Sequence, residues 1–227
     1  MVRDSAEVAA AGADWLAARL AEAVAARGRA SLALSGGTSP RPMYQELARR
    51  PVEWGRITLL FVDDRCVPPD HEKSNYRMVA ESLLAGVAPA SVHRMPGERP
   101  DRDAAAADYA RLVPDAVDVM LLGMGDDGHT ASLFPGTDWS VPTGARCLAT
   151  RAPVPPHERL TLSPEVLRAA RRVLVQVAGA GKAPVVEIAL MAPPDPVRWP
   201  IHIVRDTADW LLDGAAASQL SEEKRDG

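Results

Sequence analysis

With 227 residues, 47% of them hydrophobic and 4% aromatic, the chain is long enough to bury a substantial core in one α/β domain spanning 1–227. Its formal charge is −4, from 26 basic and 30 acidic residues mixed along the sequence, so nothing marks a nucleic-acid surface, and the few scattered aromatics make no base-stacking platform. No segment approaches the roughly 18 apolar residues needed to span a bilayer. The Ala-rich start carries charges throughout instead of the unbroken apolar stretch of a secretory signal, and Cys66 and Cys147 have no disulfide or metal-knuckle spacing. A cytoplasmic protein with two reduced thiols is the expectation, with neither membrane nor nucleic acid as partner.

In chain order, apolar positions Val8, Trp15, Leu16, Leu20 and Val24 recur near helical spacing and predict an opening helix over Ala6 to Ala26, stopped by Gly28. Ala30 to Leu34 reads as a strand, followed by the turn Ser35-Gly36-Gly37-Thr38-Ser39 and a helix starting near Pro40 or Arg41. Ile57 to Val62 is the next strand and ends in Asp63-Asp64-Arg65. Ser74-Asn75 caps a helix running to about Leu84. A short strand near Val92 and a helix from Arg102 to Leu112 lead to the apolar run Val117 to Leu122.

That run ends in Gly123, Gly125 and Gly128, with His129 immediately after. A proline-rich connection is expected over Val141 to Pro156, then a strand at Arg159 to Leu162, and a helix capped by Ser163-Pro164-Glu165. Val173 to Val177 is a strand, Gly179-Ala180-Gly181-Lys182 a turn, and Ala183 to Leu190 a helix. Ile201 to Val204 is expected as a last strand, and Thr207 as the cap of a closing helix through Leu212; the tail 221–227 is expected to fray. Strands alternate with helices, and the strands are continuous apolar runs. The fold class is therefore α/β: a mostly parallel, doubly wound, Rossmann-like sheet with helices on both faces.

Four predicted strands end in polar turns: Ser35 to Ser39, Asp63 to Arg65, Gly123 to His129, and Gly179 to Lys182. Carboxyl ends of parallel strands share one edge, so these turns can line one pocket. Backbone N–H groups and small hydroxyls near Gly36 and Thr38, with Arg65 and Lys182, suit a phosphate monoester. His129 suits proton transfer at neutral pH. Each turn alone has a plainer reading, as a tight connection or a solvated charge; their joint occurrence after successive strands favours a site.

Gly123, Gly125 and Gly128 match G-x-G-x-x-G, but no Asp or Glu occurs between Trp139 and His157 and Pro135 cuts short any helix after Gly128, which argues against a dinucleotide fold. Gly179 to Lys182 lacks the first glycine and the Ser or Thr of a triphosphate loop. There is no G-x-S-x-G nucleophile elbow. His71, His93, His129, His157 and His202 show no paired metal-ligand spacing.

SGGTSP at Ser35, DDR at Asp63 with Ser74-Asn75, LLGMGDDGHTASLFPG at Leu121, RLTL at Arg159, GAGK at Gly179 and the closing ADWLLDGAAA together resemble the 6-phosphogluconolactonase family, in order, from about residue 5 to residue 217. The resemblance implies a fold related to glucosamine-6-phosphate deaminase. It also implies hydrolysis of 6-phospho-D-glucono-1,5-lactone, the second step of the oxidative pentose phosphate pathway, without metal or organic cofactor. By the same resemblance His129 activates water, Asp127 orients it, and Arg65 and Lys182 bind the phosphate or the developing charge. Ser35, Gly36, Gly37, Thr38, Asn75 and Arg159 add contacts to the substrate.

Two positions depart from the family pattern. Asp64 stands where Glu is usual, one methylene shorter, and Asp126 stands where Pro is usual, adding a carboxylate near the histidine. The rival readings are a glucosamine-6-phosphate deaminase-type isomerase and a catalytically silent sugar-phosphate binder. Thr130 to Pro135 contains no acid to serve the deaminase chemistry, and a pure binder needs neither His129 nor Asp127. A monomer or weak dimer is expected.

Overall fold

The chain is described by a computed structural model for residues 5–136 and 144–221; all but the first residue of the tail expected to fray at 221–227, and part of the proline-rich connection, lie outside those residues. Helix α1 (Ser5–Arg27) opens the fold, and it buries Val8, Ala13, Leu16 and Leu20 completely. It packs on α2 (Arg41–Leu47) and touches four strands of the main sheet. Apolar spacing of three and four residues places that buried stripe on one face of the helix.

The main sheet contains β1 (Ala30–Leu34), β2 (Ile57–Phe61), β4 (Ser91–Val92), β5 (Val119–Gly123), β8 (Val173–Val177) and β9 (Asp209–Leu212), in the order β4-β2-β1-β5-β8-β9 with every pairing parallel. Counting only these six strands, the spatial order is 3-2-1-4-5-6, the doubly wound order. Its reversal point falls between β1 and β5, where the ends of two strands diverge into a crevice. β1 and β8 are buried at every residue, which explains why both read as unbroken apolar runs.

A second sheet of three antiparallel strands, in the order β3-β7-β6, joins β3 (Asp63–Arg65), β7 (Glu158–Leu162) and β6 (Cys147–Arg151). Val62 links the two sheets. Its N–H donates to the Leu34 carbonyl in the main sheet, and its own carbonyl accepts from Leu162 N–H at 2.7 Å in the second.

The other helices follow their caps. Ser74 accepts from Arg77 N–H at the start of α3 (Asn75–Val79), which continues through Leu84 in wider π-type turns. Asp101 accepts from Ala104 N–H at α4 (Arg102–Ala110), and Ser163 from Val166 N–H at α5 (Pro164–Ala169). Helix α6 (Ala183–Met191) starts just after Lys182. Among the described residues no helix is long and apolar enough to cross a membrane.

Four sequence expectations are corrected. Asp63 to Arg65 is a strand of the second sheet rather than the loop end of β2. The connection before Pro156 contains β6, a strand whose mixed Cys-Leu-Ala-Thr-Arg composition hides it. Pro200–Ile203 is a 3-10 turn, set by Pro200 at its start, and not a strand. The closing segment Asp209–Leu212 is the edge strand β9, hydrogen-bonded beside β8, and not a helix; there sheet pairing overrides the cap-like Thr207.

Candidate active site

The carboxyl edge of the main sheet at the β1/β5 reversal opens into a cavity of about 310 Å³. All four predicted polar turns contribute to its wall, through Ser35 to Gly37, Asp63 and Arg65, Gly123 to Gly125 with His129, and Lys182, whereas Asp127 stands behind His129 outside the wall. Asn75 and Arg159 line it as well. Thr38 does not: it is exposed, because the chain turns outward after Gly37, and Ser39 and Pro40 take its place in the wall.

The first turn is held from behind. Tyr44 Oη donates to the Ser35 carbonyl at 2.6 Å, and Ser35 Oγ donates to the Leu121 carbonyl at 2.8 Å, so the serine hydroxyl ties β1 to β5. Gly36 is required by contact: a Cβ there would lie 1.8 Å from Asn75 Oδ1. Gly37 is required by conformation, with φ at +93°.

The central turn is closed by Gly125 N–H to the His129 carbonyl and Gly128 N–H to the Gly125 carbonyl. His129 Nδ1 lies 2.5 Å from Asp127 Oδ1, and the same oxygen accepts the His129 backbone N–H at 3.0 Å. A carboxylate accepts only, so Nδ1 carries the proton and Nε2 keeps its lone pair. Burial pushes the Asp127 carboxyl upward, but the His129 N–H and imidazole together outweigh it and hold the group below its usual value. A Cβ on Gly125 would sit 2.1 Å from His129 Nδ1, so only glycine leaves room for the pair. Phe134 packs against the imidazole with ring centroids 4.8 Å apart. Behind the turn, Ile201 N–H donates to the Gly128 carbonyl at 3.0 Å, and the Trp199 ring fills the space where a side chain at 128 would be.

Positive charge converges from two directions. Arg65 and Arg159 are direct cross-strand partners in β3 and β7, a like-charge pairing that costs stability unless an anion joins it. Each has its Nε buried with no hydrogen-bond partner. Arg159 is 6% exposed, and burial first, then Arg65 beside it, pull its guanidinium below its usual value. Lys182 Nζ donates to the Met124 carbonyl at 2.8 Å. It also contacts Asp126 Oδ1 at 2.6 Å. Asp126, the carboxylate that the sequence adds next to the central turn, therefore has the lysine as its ion-pair partner.

Asp64 is buried beneath the site. Its carboxylate accepts from Arg65, Asn75 and Tyr76 N–H groups at 2.7, 2.7 and 3.1 Å, so it fixes the start of α3 and with it Asn75. The shorter side chain thus serves as an internal cap rather than a reach into the cavity. Burial pushes its carboxyl up to about 6 despite those bonds.

Asp63 is expected in the wall only as part of its turn, and two further wall residues, Ser132 and Gln176, escape a reading of the sequence. Asp63 accepts from Ser132 Oγ at 2.6 Å and from Asn75 Nδ2 at 3.1 Å, which joins the second sheet to the central turn. Ser132 itself lines the cavity, as does Gln176, the one polar residue of β8. A polar side chain inside an otherwise apolar strand is the signal that marks Gln176. Among the described residues no group of three or more His, Cys, Asp or Glu side chains is arranged to hold a metal ion.

Comparison with known proteins identifies the family. Residues 3–212 match the family described as glucosamine-6-phosphate isomerases/6-phosphogluconolactonase. The chain is 41% identical over 196 residues to a 6-phosphogluconolactonase of Pseudomonas aeruginosa, covering 82% of each, and 39% identical over 197 residues to one of Pseudomonas putida, covering 82% and 81%. A crystal structure of a 6-phosphogluconolactonase from Shewanella baltica superposes with a TM-score of 0.85 at 30% identity, covering 93% of this chain and 95% of that one. A monomeric glucosamine-6-phosphate deaminase shares the fold at a TM-score of 0.84 and 21% identity. The chain belongs to the glucosamine-6-phosphate isomerase/6-phosphogluconolactonase family.

Proposed function

We propose that this chain is a cytoplasmic lactonase that hydrolyses 6-phospho-D-glucono-1,5-lactone to 6-phospho-D-gluconate by general-base activation of water at His129. The observation that carries the reading is His129, paired with Asp127, lining the same cavity as Arg65, Arg159 and Lys182. That combination suits a small ester bearing a phosphate. The relatives named 6-phosphogluconolactonase support the substrate.

In the proposed step, water adds its oxygen to C1 of the lactone while His129 Nε2 takes its proton. Asp127 keeps the proton on Nδ1 and stabilises the imidazolium that forms. The tetrahedral oxyanion then collapses, the bond from C1 to the ring oxygen breaks, and the departing ring oxygen receives the proton from Nε2. Arg65, Arg159, Lys182 and the N–H groups of the first glycine turn supply the positive field for the phosphate and the developing charge. A δ-lactone is already activated, so general-base help of about 10² to 10⁴ suffices without a covalent intermediate.

A coupled assay with freshly made lactone and the downstream dehydrogenase tests the assignment. His129→Ala is expected to lower kcat by about 10² to 10⁴ with KM little changed. Loss of affinity with kcat preserved refutes the role of His129, and turnover of glucosamine 6-phosphate in place of the lactone refutes the substrate.

A further inference from the structure

Gln176 is the last but one residue of β8 and sits opposite Gly123 of β5 in the parallel register, at the edge where the catalytic turn begins. It is 7% exposed, yet it lines the cavity. Its Nε2 donates to the Ser39 carbonyl at 3.2 Å. A carbonyl accepts only, so this contact fixes which end of the amide carries the nitrogen. Oε1 is then left buried with no hydrogen-bond partner. Buried acceptors are nearly always satisfied, and one left open in a cavity wall calls for an explanation.

The glycine across from it sharpens the point. A Cβ on Gly123 would meet nothing within 4 Å, so the space beside Gln176 is open. Clamping the Ser39 turn needs only one of the amide's hydrogens and leaves the acceptor without a purpose. The charged groups of the site already account for a phosphate and a carbonyl. What they leave unread is the row of secondary hydroxyls between C1 and the phosphate of a sugar lactone.

We infer that Gln176 is a specificity-determining residue whose carboxamide hydrogen-bonds a secondary ring hydroxyl of the substrate. This rests on the lactonase reading for the identity of the sugar. A site built to bond a hydroxyl rejects the analogue lacking it, because its own buried polar atom then stays unpaired.

The test compares the parent lactone with its 2-, 3- and 4-deoxy analogues in the wild type, Gln176→Met and Gln176→Glu. Methionine keeps the length and removes both polar atoms. Glutamate keeps an acceptor and removes the donor to Ser39. In the wild type, one of the analogues is expected to lose about tenfold in kcat/KM against the parent. In Gln176→Met that ratio should fall toward one, with the parent losing most of the difference. Gln176→Glu should retain discrimination even where the lost clamp lowers its melting temperature.

Equal discrimination by wild type and Gln176→Met across all three analogues overturns the inference and leaves Gln176 a clamp. Calorimetric binding of 6-phosphogluconate and its deoxy counterparts provides the same ratios without turnover. A wild type that binds these acids but hydrolyses no lactone would therefore defeat the functional assignment while still deciding the role of Gln176.

Discussion

Gly36→Ala probes how the first glycine turn is fitted against α3. The new Cβ would lie 1.8 Å from Asn75 Oδ1 and 1.9 Å from its Cγ, so the carboxamide has to leave its place. In leaving, it gives up its donations to the Asp63 carbonyl at 2.9 Å and to Asp63 Oδ1 at 3.1 Å. Each is worth about 1 kcal/mol, and forcing a methyl group into packed space costs about 1–3 kcal/mol more. Freeing the unpartnered Oδ1 offsets part of this, so the expected net loss is about 2–4 kcal/mol, or about 5–15 °C in melting temperature for a chain of this size. A double-mutant cycle isolates the contact. Asn75→Ala alone should cost about 1–2 kcal/mol, and Gly36→Ala with Asn75→Ala should cost little more than that, giving a coupling of about 2 kcal/mol. Gly37→Ala is the control: its penalty comes from a φ of +93° with open space around it, and it should simply add to Asn75→Ala. Additive costs for the Gly36 pair in denaturant unfolding refute the packing argument.

Asp127→Asn should reduce kcat by about 10² or more, because the amide can present its N–H to Nδ1 and favour the wrong tautomer; an unchanged kcat in the coupled assay contradicts the tautomer argument. For Asp64, a folded carboxyl raised to about 6 binds a proton that the unfolded chain has released, so its stability contribution is full below about 4 and is lost as pH rises through 6. From pH 7.5 to pH 5 the wild type should gain roughly 1 kcal/mol relative to Asp64→Asn in urea unfolding; parallel pH curves refute it. Asp126→Ala frees Lys182 from a competing carboxylate and should lower KM by about two- to fivefold at low salt, an advantage that shrinks as ionic strength rises; a raised KM would assign Asp126 to substrate binding instead.

The architecture is legible in the sequence where one physical cause dominates. β1, β2, β5 and β8 are buried enough to be continuous apolar runs, and Ser74 and Ser163 announce helices by the caps they form. Edges are less legible. Asp209–Leu212 is only partly buried, and its strand character comes from a neighbour more than thirty residues earlier. Ile201 and Ile203 are buried apolar residues of a 3-10 turn, and the Ile201 N–H holds the Gly128 carbonyl from behind, a backbone contact that a strand reading cannot anticipate. Within the site, His129, Asp127 and the glycines lie within a few residues of one another and declare themselves. The pairing of Arg65 with Arg159 depends on the antiparallel register of a second sheet, and the roles of Asp64, Asp63 and Gln176 depend on burial, which no spacing records.

The His129–Asp127 pair follows a strand of the parallel sheet, whereas Arg65 and Arg159 ride on the small antiparallel one, and the chain passes between the sheets at Val62. The two are nonetheless tied at Ser132: its N–H donates to Thr161 Oγ1 of β7, its carbonyl accepts from Thr150 Oγ1 of β6, and its hydroxyl donates to Asp63 of β3, so a change in the small sheet is transmitted to the segment that carries His129.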